Sequence, residues 1–219
     1  MYLAMVIASA VFSLVGAADY ISCIWKQKEG LKPVLATWIL MVVTVWLSLW
    51  MYWHGPNHSV ARNIGLFAAA LNTTAILVAL ALFHHRNKTL VVAFNGVQAA
   101  CLAGGGVVVI FWAVVQNSLI AFALVQGIAL FSYTATVVPL WRAVGSTEPY
   151  FLWLAVLASN LCAVYPATQE SDPFAYIYLI RAIPSIIFML VLIARAKERK
   201  HQEEVRKVLA DFASRQLWF

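Results

Sequence analysis

Charge is what this chain of 219 residues has least of: Asp, Glu, Lys and Arg together make up 11%, while 63% is hydrophobic. A water-soluble domain cannot cover that much apolar surface, so nearly every element is expected to lie in lipid or in a buried core. Acidic residues are scarcest, nine against fifteen basic ones. The resulting net charge of +6 would suit nucleic acid, but its distribution between apolar runs excludes that partner. Cysteine is also rare, and Cys23, Cys101 and Cys162 all fall inside apolar runs. No disulfide framework follows. The chain lacks a Cys/His cluster, a Gly-x-Ser-x-Gly elbow and a phosphate loop, which removes the enzyme classes that announce themselves by motif. His54 and His58 have i, i+4 spacing, but the intervening Gly55-Pro56 makes a loop rather than a metal-binding helix face. No enzyme activity, cofactor or metal is expected. The first apolar run has no basic residues before it, as a cleaved signal would, and reads as a retained helix.

Long apolar stretches are what the chain does have. A helix needs about 20 such residues to cross the hydrocarbon, and seven runs qualify, at 2–25, 34–53, 60–83, 89–113, 118–141, 149–165 and 174–194. The sixth ends at Tyr165-Pro166, and only Gln116-Asn117-Ser118 parts the fourth from the fifth. Basic residues follow runs one, three and five, namely Lys26, Lys28, Lys32, Arg86, Lys88 and Arg142, and seven more lie between Arg195 and Arg215. Because basic loops stay on the cytoplasmic side, the N-terminus is expected outside and the C-terminus inside, in the plasma membrane. In the tail after 195, Val205, Leu209 and Phe212 recur at helical spacing between charges. This predicts an amphipathic helix at the inner membrane surface, or a solvated tail that fixes topology.

The chain also repeats itself. Trp25-Lys26 and Trp141-Arg142 are each followed by a proline eight residues after the Trp, at Pro33 and Pro149, with an offset of 116 in both cases. Run one then aligns with run five and run two with run six, and both copies enter the membrane in the same direction. Further along the register slips by three, setting Arg62 against Arg181. The fold expected is an all-α membrane protein of seven transmembrane helices in a 3+1+3 parallel repeat. Its parts are residues 1–84, a connector at 85–117, a second unit at 118–195 and the tail at 196–219.

Several short segments carry a likeness to a known family: Pro139-Leu140, Ser146-Thr147-Glu148-Pro149, the run from Asn160 to Tyr165, and Asp172-Pro173-Phe174 in the second half. Trp50-Met51-Tyr52 and Asn63-Ile64-Gly65 add to it in the first. With this layout the chain resembles the SWEET sugar transporters and the wider PQ-loop (MtN3-like) group. The resemblance implies transport of a small polar solute, a sugar first, by alternating access. Related scaffolds carry vitamin or nucleoside precursors and amino acids, or act as sorting receptors, so those readings stay open. The chain departs from the family in having no Pro-Gln pair, Leu179 near the place of a substrate asparagine and Cys162 near that of a tryptophan.

Ionisable side chains inside a bilayer are functional candidates by default. Asp19 and Arg181 qualify, as a proton or substrate site or as a structural ion pair. Among polar amides, Asn63 and Asn160 stand where the resemblance puts solute contacts. Asn72, Asn95, Gln98 and Gln126 read first as helix-to-helix bonds. Trp46, Trp50 and Trp53 share one face of the second run. They form an interfacial belt or, if turned inward with Thr44 and Ser48, a wall for a ring-bearing solute. Pro139 removes a backbone donor and is the candidate hinge. The expected partners are lipid, a small solute and, compatibly, further copies of the chain.

Overall fold

Backbone in hydrocarbon must satisfy its own polar groups, so long apolar runs free of turn residues close into helices. The computed structural model describes residues 1–26, 35–56, 58–87, 96–143, 145 and 148–216. Among these residues all regular structure is helical: α1 (Tyr2–Trp25), α2 (Leu35–Trp53), α3 (Ile64–Arg86), α4 (Gly96–Val115), α5 (Ser118–Ser132), α6 (Thr134–Arg142), α7 (Tyr150–Glu170) and α8 (Pro173–Gln216). Six of them, α1 to α4, α7 and α8, are long and apolar enough to cross a membrane. Large apolar side chains such as Ile110, Val114 and Ile180 stand exposed around the bundle. That surface needs lipid against it, and the chain is a multi-pass membrane protein. Lys28, Lys32, Pro33, Lys88, Asn95, Ser146 and Thr147 lie outside the described residues.

Local chemistry sets the ends. The side chain of Asn117 accepts from the backbone N–H of Ile120 at 3.1 Å to start α5. Gln116 just before it takes φ 55° to reverse the chain. Ser171, at φ 49°, ends α7. Asp172 then caps α8 through Oδ1, which accepts from Phe174 N at 2.9 Å, with Pro173 in the first helical position.

α3 packs on both α1 and α2, and α8 packs on both α5 and α7. Across the bundle α1 lies chiefly against α7, and α2 against α5, while α4 rests on α5 and the edge of α2. One end of the bundle holds Trp25 edge-on to Phe83, Arg86 over Trp25 at 6.0 Å, and Arg195 over Trp141 at 4.0 Å. The other holds the Arg62–Glu170 ion pair at 3.0 Å and the hydroxyl of Ser118 donating to His54 O. The α1–α7 seam is built from small residues. Ser159 Oγ donates to Ser9 O at 2.7 Å, and a Cβ on Gly16 would stand 3.0 Å from Ala155 Cβ. Without a hydrophobic drive between helices in lipid, such close approach supplies the contact energy. A Gly16→Leu chain is expected to lose about 3 kcal/mol through overpacking, read as a lower thermal midpoint in detergent; an unchanged midpoint would mean that the seam opens freely.

Three expectations change. The run at 118–141 is not one helix, because at Tyr133 the turn tightens and its N–H bonds to Leu130 O, three residues back. That break falls six residues before Pro139, which lies within α6. Nor does the sixth run stop at Pro166: α7 continues through it to Glu170. Neighbouring helices enclose that segment and stabilise a helix that proline alone would end. The tail is not a separate helix either. α8 runs unbroken for 44 residues, about 66 Å at a rise of ~1.5 Å, more than twice the ~30 Å hydrocarbon core. Arg199 Nη1 donates to Trp141 O at 2.7 Å and Gly145 N to Ala196 O at 3.0 Å, tying the end of α6 to this extension.

Candidate functional site

Arg181 is the centre of the site. It lies eight residues into α8, roughly 12 Å deep at ~1.5 Å per residue, and is half-buried. Its Nε and Nη2 donate to Gln126 Oε1 on α5 at 3.0 and 2.8 Å, and Nη1 donates to the Tyr133 hydroxyl at 3.4 Å. The rings of Tyr178 and Tyr133 flank the guanidinium at 5.2 and 5.9 Å. Gln126 is held in turn: its Nε2 donates to Ser48 Oγ at 2.6 Å, and Ser48 Oγ donates to Thr44 O at 2.7 Å. One chain of bonds thus runs from α2 through α5 to α8. All these partners of the cation are neutral. Among the described residues the three ion pairs are Arg62–Glu170, Lys200–Glu204 and Lys207–Glu203, and none involves Arg181.

Beside Arg181 lies a cavity of about 70 Å³, lined by residues of α2, α3, α5, α7 and α8 together with Tyr133. Its walls are mostly aliphatic and aromatic, and its polar members include Thr44, Asn72, Thr73, Tyr133, Trp153 and Arg181. Two of these are buried and incompletely bonded. Among the described residues the indole N–H of Trp153 has no partner, and neither has the side-chain carbonyl of Asn72, whose Nδ2 donates to Ser13 Oγ at 3.2 Å and Ser13 O at 3.3 Å. A buried donor and a buried acceptor left open beside a cation cost free energy. Arg181 and Tyr133 also line a wider groove, about 700 Å³, on the outer surface between α5 and α8.

The sequence-level candidates separate around this cavity. Thr44 and Arg181 line it, and Ser48 supports it through Gln126. Trp50 does not: it is 55% exposed and stacks on His54 at 4.5 Å, and Trp46 and Trp53 face outward with it. Asn63 precedes α3, and Asn160 donates to Val156 O at 2.8 Å beside Gly65; neither lines the cavity. Asp19 is half-buried on α1, a helix that contributes nothing to the cavity wall. Arg62, matched to Arg181 by the repeat, lies before the start of α3 and pairs with Glu170, whereas its counterpart lies eight residues inside α8. Gln126, read from the sequence as a helix-to-helix bond, makes that bond between α2 and α8; Tyr133, Trp153 and Tyr178 are the members that sequence reasoning left out. Tyr178 alone had a signal, standing three residues before Arg181 on the same helical face. No family model, curated protein or solved structure matches the chain.

Proposed function

We propose that this chain is a transporter of a small polar solute, working by alternating access between two three-helix units joined by α4. In this reading α5 and α6 together form the seventh crossing, since α5 starts at the His54 end of the bundle and α6 finishes at the Ala196 end. The packing supports an internal repeat: α3 sits between α1 and α2 as α8 sits between α5 and α7, and α1 meets α7 as α5 meets α2. Positive charge at the Arg86 and Arg195 end makes that end cytoplasmic, in a plasma membrane, with the N-terminus outside.

One observation carries the proposal: the cavity beside Arg181 is walled by α2 and α3 of one unit and by α5, α7 and α8 of the other. Rocking the units about it would open it to either side. This agrees with the SWEET and PQ-loop resemblance, with passive facilitation as the mode, because Asp19 lies off the cavity. Pro139 and the tightened turn at Tyr133 would give α5 and α6 the freedom to bend. The test is uptake of radiolabelled sugars, amino acids, nucleosides and small organic acids into proteoliposomes. Saturable uptake of one class is expected. A compound that stabilises the protein without any crossing would make it a receptor on the same scaffold instead.

A further inference from the structure

We propose that the solute is a small monocarboxylate, bound with its carboxylate on Arg181; this rests on the transporter reading for movement but not for binding. The guanidinium carries one positive charge among neutral partners. Gln126 Oε1 takes two of its N–H groups and Tyr133 takes a third at the long distance of 3.4 Å. Arginine has five N–H donors, so two remain for a ligand. A half-buried cation with no counter-ion among the described residues is costly in a bilayer, and one carboxylate neutralises it with matched planar geometry. A dianion would bring the opposite imbalance.

The remaining walls narrow the class. The Trp153 N–H offers a further donor for a carboxylate oxygen, and the open Asn72 carbonyl requires a donor from the ligand. Met41, Val45, Leu152 and Ile186 give the ligand an aliphatic bed. Space is short: a cavity of about 150 Å³ accepts benzene, so 70 Å³ takes a carboxylate and little more. A hexose, with about twelve non-hydrogen atoms, exceeds that scale. The sugar implied by the family resemblance is therefore not retained. Glycolate meets each demand, with one carboxylate, a neighbouring hydroxyl to donate to Asn72 and few atoms.

The experiment uses the full chain. In neutral detergent, glycolate is expected to raise the thermal midpoint saturably, while glucose does not. Arg181→Gln is expected to weaken the effect by roughly tenfold to a hundredfold, and Arg181→Lys to recover part of it. If Arg181→Gln fails to fold, competition by acetate and formate on the wild-type chain carries the test, both being expected to displace glycolate. Equal stabilisation by chloride would overturn the proposal, as would glucose binding in place of glycolate. Stabilisation by the anionic lipid phosphatidylglycerol alone would assign Arg181 to the outer groove and overturn it too. Labelled glycolate uptake into proteoliposomes separates the two readings. Binding without uptake removes the transporter and keeps the site, whereas uptake of a neutral solute without glycolate binding does the reverse.

Discussion

A Gln126→Leu chain is expected to be less stable than the wild type by about 3 kcal/mol, with a thermal midpoint lower by roughly 6 to 12 °C. Gln126 is the one acceptor that takes two N–H groups of Arg181, and its own amide donates to Ser48. Leucine would leave the guanidinium half-buried without that acceptor and the Ser48 hydroxyl without its donor. The cost comes from stranding a charge, not from losing a favourable pair, since removing one partner of a buried charged contact is worse than removing both. Adding Arg181→Met to Gln126→Leu should therefore recover most of the lost stability. Thermal melts of the wild type, both single variants and the double variant form the cycle. A double variant no more stable than Gln126→Leu alone would mean that Gln126 serves α2–α5 packing and not the cation.

Raising the pH from about 5 to about 8 is expected to destabilise the wild-type chain, and a Glu148→Gln chain is expected to lose that dependence. Glu148 lies in the link between α6 and α7, outside the membrane-crossing helices, and is 9% exposed. Burial pushes its carboxyl from 4.5 to about 8, against the smaller opposing effect of the Tyr20 hydroxyl donating to it. The folded state thus holds a proton that the unfolded state releases above about 4.5. Its contribution is fully present below the unfolded value and is lost as pH rises toward about 8, at ~1.4 kcal/mol per unit. Tyr20 also accepts from Trp38 Nε1 at 3.2 Å, and Trp38 lines the cavity. Midpoints measured across this pH range in both chains decide it, and parallel slopes would remove Glu148 as the titrating group.

Much of the architecture was legible in the sequence because lipid imposes length. Runs of about 20 apolar residues had to become helices, and the starts expected at 2, 118 and 149 fall within a residue of Tyr2, Ser118 and Tyr150. Where tertiary packing competes with local rules, the reading slipped. Pro166 is a helix terminator by backbone chemistry, yet it sits inside α7 because α1 and α8 enclose that helix. Tyr133 carries no breaker of its own, and still the chain tightens there. The charged extension of α8 gave a periodic signal for a separate helix, but nothing in its sequence stops α8 from continuing into it.

The candidate site divides the same way. Arg181 was legible by itself, because a guanidinium within an apolar run has no inexpensive place to go. Its setting was not. Gln126 and Arg181 are 55 residues apart and meet through two strong bonds, while Trp50, on a promising aromatic stripe, turns to the outside. Helical periodicity fixes which residues share a face but not which neighbour that face meets, and one amide looks like another until its partner is placed. By itself the sequence determined an all-helical membrane chain, the signs of its two ends and one intramembrane cation. Only the tertiary structure decided that the cation has neutral partners, that Asp19 stands apart from its cavity, and that two residues with an open donor and an open acceptor line that same small cavity. Those facts depend on how helices distant in sequence approach one another, and that is set by packing rather than by any local pattern.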